Sequence, residues 1–240
     1  MSGLTTTDIS ALTTADVAVI TTSQIVELTT TQAPFLTTRF VSALGTDKIT
    51  ALEPADLALL TDAAFATFSS AQIVALTAEQ IMALTTSQVT LIKTNVLASL
   101  STQQVVGFNT AQISSLRSTA IQALSIAQIA ALETRDLAVL SSNNIQALST
   151  SQLKALSSQQ IKALSADNLV GLTTELLASM NSSQLRALTS SQVSGLNTLQ
   201  VSSLSTAAIK NLLTSQIAAL ETRDVVTLSS VQLGALSNLQ

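Results

Sequence analysis

From Leu4 to Leu236 every eighth residue is apolar, with no insertion or deletion along the 240-residue chain. The unit reads L-T/S-T/S-x-Q-I-x-A and recurs over thirty octads, a period short and strict enough to make the chain an array. With the octad lettered a to h from Leu4, position a is Leu except at Ile20, Phe68, Ile92, Phe108 and Met180. Position f, from Ile9 through Val17 and Ile25 to Leu233, is always apolar and is smallest at Ala33. Position h is usually Ala or Gly, and b and c are mostly Thr or Ser. Position e is Gln in sixteen of thirty octads and Asp in five more.

One continuous helix cannot use this pattern. Eight residues turn an α-helix by about 800°, so a and f would precess by about 80° per octad and hold no common buried face. Adjacent Thr and Ser residues also favour caps and turns over helix interiors. The helix must therefore restart in every octad, and the residues for a restart are present. Thr5-Thr6-Thr7-Asp8 and Thr21-Thr22-Ser23-Gln24 have the spacing of a capping box, and Leu4 and Ile9 occupy the two positions of a hydrophobic staple. Pro54 falls at the first helical position, where its missing N–H costs nothing. Where b lacks a hydroxyl, as in Lys93-Thr94, Arg117-Ser118 and Glu133-Thr134, the cap is expected at either b or c. Helices this short persist only by stacking on neighbours.

The alternative is a β-solenoid, since Thr, Ile and Val favour strands. Positions a and f are five apart, however, and a flat strand would send them to opposite faces. Only six Gly are present, with none at a regular corner position. The expected fold class is all-α: a superhelical solenoid of very short capped helices, one per octad, over residues 1–240 as one continuous array. Positions a, f and h should face an inner apolar seam, with b to e and g outward. The chain stops inside an octad at Gln240, so it is read as a segment of a longer array. A longer period lies within the short one: residues 109–142 align with 197–230, a shift of eleven octads. Segmental duplication and a whole number of superhelical turns both account for it.

Composition narrows the chemistry. Apolar residues make up 47% of the chain with five Phe and no Tyr or Trp, which suits thin regular layers of aliphatic side chains. Charged residues are only 10% and the net charge is −4, a poor footprint for nucleic acid or an anionic membrane. No apolar run approaches the length of a membrane span. The opening MSGLTTTDIS has neither the basic nor the apolar region of a signal peptide.

Without His or Cys, the commonest general base and the usual soft metal ligands are missing. No catalytic, cofactor-binding or metal-binding residue is assigned, and the residues of any binding surface stay open. The acids Glu53, Asp56 and Asp62 are read as favourable charges at helix starts. Glu133-Thr134-Arg135-Asp136, which recurs as Glu221-Thr222-Arg223-Asp224, is read as local solvated charge pairs. The five Lys (Lys48, Lys93, Lys154, Lys162, Lys210) occupy several octad positions and form no cluster in the sequence. Pro34, beside Ala33 and Phe35 and followed by Phe40 at e, marks a local irregularity, and the sequon at Asn181 falls on ordinary cap positions.

The stretches ITTSQIVEL (20–28) and LTAEQIMAL (76–84) resemble the LTxxQIxAL octapeptide tracts of very long bacterial surface proteins, often labelled adhesin-like, and the similarity runs the whole chain. It implies an extracellular or cell-surface stalk with its binding tip and export signal elsewhere. The partner stays open, with neighbouring repeats of the same longer chain as one candidate. Haem binding does not transfer, since no His, Cys or Tyr is present to ligate iron. LTAEQI (76–81) also looks like the opening of the repeats in transcription-activator-like effectors, but those repeats are far longer and basic. The leading functional expectation is therefore a structural spacer without catalysis. A solenoid scaffold for binding is one alternative, and a Thr/Ser-rich ice- or surface-binding array is another.

Overall fold

A computed structural model describes residues 1–240 and contains 28 short α-helices, one 3-10 turn at Ala33–Phe35 and no strand. The octad therefore encodes one helix, and the β-solenoid is excluded. The octad that opens at Leu84 shows how. Its N-cap, Thr85, is extended (φ −71°, ψ 158°) and starts the helix Thr86–Leu91. Thr85 Oγ1 accepts from the Gln88 amide at 3.1 Å, and Gln88 Oε1 accepts from the Thr85 amide at 2.9 Å, closing a capping box. The helix ends at Ile92, position a of the next octad, which is extended again (φ −67°, ψ 125°).

Two extended residues, a and b, thus make each corner between helices. No residue has positive φ, so the corners need no glycine. That is why Leu can hold position a throughout and why six Gly suffice. The cap stays at b even where b has no hydroxyl: Lys93, Arg117 and Glu133 are the N-cap residues of their helices. Pro54 is the first residue of the helix Pro54–Leu59, as its fixed φ and missing donor require.

The residues group into two compact units, Met1–Leu116 and Arg117–Gln240. Within each unit a helix packs on the one three octads away. Pro54–Leu59 lies against Ala78–Ala83 in the first, and Ser158–Ala163 lies against Ser182–Ala187 in the second. One turn of the coil therefore takes about three octads, or 24 residues. Eleven octads is not a multiple of three, so this stacking does not by itself produce the longer repeat.

Positions a and f fill the core as the pattern predicts: Ile81, Ile113 and Ile161 at f are 0% exposed, and Leu84 at a is 3% exposed. Burying each such side chain contributes about 1.5–3 kcal/mol. The third buried position corrects the pattern. It is e, assigned outward by its polarity, yet Gln80, Gln88 and Gln112 are all buried. Position h, assigned inward, is mostly half-exposed and lies between coil turns. A Cβ on Gly107 would come within 2.7 Å of the Ala78 carbonyl oxygen, at position c three octads earlier. Small residues at h therefore reflect close approach of neighbouring turns, not filling of the core.

Candidate functional site

The recurring constellation is built on position e. Where the capping box is complete, the e residue is third in its helix, so its side chain reaches back to the N-cap amide while its own amide is held by the cap side chain, as in Ser69–Gln72, Thr77–Gln80 and Asn109–Gln112. Gln is long enough to do a second thing. Gln80 Nε2 donates to the carbonyls of Leu52 at 2.8 Å and Ile49 at 2.9 Å, on the preceding coil turn. Gln88 reaches Leu60 and Leu57 in the same way, and in the second unit Gln184 reaches Leu156 and Leu153. The accepting carbonyls are those at helix ends: the a carbonyls (Leu52, Leu60, Leu156) have no backbone partner, and the f carbonyls (Ile49, Leu57, Leu153) also accept from the amide three residues on. One amide thus caps its own helix with its oxygen and the end of an earlier helix with its nitrogen.

Substitutions at e keep both halves of the amide, one half or neither. Asn168 keeps both, with Nδ2 donating to the Leu140 carbonyl at 2.7 Å. Lys48 keeps only the donor, and its Nζ reaches the carbonyls of Val17 and Ala18 at 2.9 and 3.0 Å. Phe40, Val96 and Leu176 replace the amide by buried apolar contact. Asp56, Asp136 and Asp224 are buried carboxylates with oxygens that have no hydrogen-bond partner. Burial, then the neighbouring Glu53 carboxylate, pushes Asp56 above the ordinary carboxylate range. Burial also raises Asp136, opposed by the Glu133 amide and by Arg135. Asp8 and Asp16 occupy the same octad position but are exposed, and hydrogen bonds from Thr5 and Thr13 hold them below the ordinary range.

The acids singled out in the sequence separate. Glu53 is an N-cap residue, Asp56 is buried, and Asp62 accepts from the Ser87 hydroxyl. No group of three acids, His or Cys is close enough to hold a metal ion. The two Glu-Thr-Arg-Asp blocks hold exposed pairs, Arg135–Glu133 at 2.6 Å and Arg223–Glu221 at 2.9 Å. Their Asp residues depart from the solvated reading, because Asp136 and Asp224 are 0% exposed. Asn181 caps Ser182–Ala187, its Oδ1 accepting from the Gln184 amide. Around Pro34 the helix shrinks to the 3-10 turn, with Ala33 buried and Phe35 exposed. Lys93 is an N-cap, whereas Lys162 and Lys210 fall in one stacked column with Arg186.

Polarity hides the e ladder in the sequence, although a signal for it exists. Capping alone needs only an acceptor, and negative charge is favoured at a helix start. Yet Glu, the isostere of Gln, never occurs at e. Gln, Asn and Lys at e all carry a donor, and Glu is absent, although Asp8, Asp16, Asp56, Asp136 and Asp224 supply an acceptor alone.

These features define a helical repeat protein whose unit is the octad and whose coil turns are joined through buried amides. A family profile described as the ALTTAQ repeat matches residues 49–86 and 129–166. Both matches begin at position f, at Ile49 and Ile129. No curated protein matches the chain.

Proposed function

We propose that this chain is a structural spacer, a stalk segment of a bacterial cell-surface or secreted protein, and that it performs no catalysis. The observation that carries the reading is the e ladder. It repeats the same backbone-directed bonds from turn to turn within each unit, so an added turn brings its own cap, core and connection. Such an array lengthens by fixed increments without redesign. The abundant hydroxyls, which a hydrolase would need as nucleophiles, serve here as caps: Thr77, Thr85, Ser157 and Thr189 each accept from an amide of their own helix.

The test is to add or delete octads in threes. Each three should change the maximum dimension in small-angle X-ray scattering by about 8–10 Å, one helix-packing distance. In the parent protein, the same changes should alter the reach of flanking segments while leaving their binding intact. A dimension that fails to grow with octad number, or loss of flanking activity on a three-octad deletion, would sink the spacer reading.

A further inference from the structure

The coil sorts cations that the sequence scatters. Lys162, Arg186 and Lys210 all occupy position g and lie 24 residues apart, the stacking period. Their helices, Ser158–Ala163, Ser182–Ala187 and Thr206–Asn211, pack on one another in that order. All three side chains are exposed and none forms an ion pair. Lys162 and Arg186 border one shallow groove with Ser190 and Ser215, and Arg186 and Lys210 border a second with Thr214 and Ser237.

The octads that carry these cations, 156–163, 180–187 and 204–211, contain no Asp or Glu, and neither do octads 188–195 and 212–219, which follow the second and third of them. Asp167, in the octad after the first, lines neither groove. A cation in the last turn of a helix is favourable for any octad. That preference does not explain three of them at the stacking period with acids kept out of the grooves.

We propose that this column docks an extended acidic polypeptide segment bearing carboxylates at every third residue. Packed helices lie about 8–10 Å apart. A polyproline II chain advances about 9 Å in three residues and presents i, i+3 and i+6 on one side. Three carboxylates then meet three cations in register, with Arg186 offering the central one a bidentate contact. Single-stranded nucleic acid docks by stacking bases on aromatic side chains, and residues 117–240 contain no aromatic residue at all. This surface goes beyond the spacer reading and does not depend on it.

The test uses the full chain and a fluorescein-labelled (Glu-Pro-Pro)5 peptide, followed by fluorescence anisotropy at low and physiological salt. The expected result is saturable, salt-sensitive binding that falls at least tenfold in the triple variant Lys162→Gln/Arg186→Gln/Lys210→Gln. Lys154→Gln, at position g of another column, should bind as the parent does, and circular dichroism of all variants should match. Several results would overturn the proposal: no binding, equal binding by the triple variant, equal loss on Lys154→Gln, or binding of polyuridylate or heparin in preference to the peptide.

Discussion

Gln80 Nε2 and the Leu52 carbonyl oxygen lie 2.8 Å apart across 28 residues, and this bond joins one coil turn to the next. Replacing Gln80 tests whether the donor is what position e selects. Gln80→Met keeps the volume but leaves the Leu52 carbonyl without a partner and the Ile49 carbonyl with only the Leu52 amide, and should cost about 1–3 kcal/mol. Gln80→Glu keeps the cap acceptor but sets a buried charge against the same carbonyls, and should cost about 3–5 kcal/mol at neutral pH. Urea unfolding followed by circular dichroism ranks the two. A Glu variant as stable as the parent would mean that e serves only as a cap.

The cap itself is assigned to b by the extended backbone of Thr85 and its bond to the Gln88 amide. Thr85→Ala should therefore destabilise by about 1 kcal/mol. Thr86→Ala, one residue on and inside the helix, should change stability by less than about 0.5 kcal/mol. Thermal unfolding of the two variants distinguishes them, and equal losses would place the cap on both residues.

The helix start is legible in the sequence because its signals are local. Thr85 and Gln88 are three residues apart, and a capping box needs nothing from elsewhere in the chain. The apolar seam is legible at a and f for the same reason, since Leu and Ile have no other place to go. Burial of Gln80 is not legible from polarity, because its partners, Leu52 and Ile49, are set by how many octads make a turn. That number depends on the corner angles at a and b, which octad spacing does not state. The column of Lys162, Arg186 and Lys210 is hidden by the same unknown. Reading the Lys residues without the Arg residues hides it further.

Gly107 tests how tightly successive turns approach. Its φ of −67° suits any residue, so conformational freedom is not the reason for glycine here. The methyl group of an alanine at this position would meet the Ala78 carbonyl oxygen at 2.7 Å. Gly107→Ala should cost about 1–3 kcal/mol despite the better helix propensity of Ala. A stabilised variant in thermal unfolding would show that the turns separate at little cost.

Asp56 gives the pH-dependent prediction. By register it stands over the carbonyls of Leu28 and Ile25, where Gln at e would donate, but both its oxygens lack partners. Burial and then Glu53 raise its pKa in the folded state. A raised folded value means that the stability contribution is fully present below the unfolded value of about 3.9 and is lost as pH rises through the folded one. Asp56→Gln should therefore be more stable than the parent at neutral pH, by about 1–3 kcal/mol. Its advantage should shrink as pH falls toward about 4, the ordinary carboxylate range, and Glu53→Gln in the parent background should recover part of it. The lowered groups Asp8 and Asp16 act in the opposite sense, contributing stability that is lost as pH falls through their folded values. They are common to both proteins and cancel in the difference. Melting temperatures of the pair across the acid-to-neutral range decide the matter: curves that run parallel would show that the Asp56 carboxylate finds a partner in the folded state.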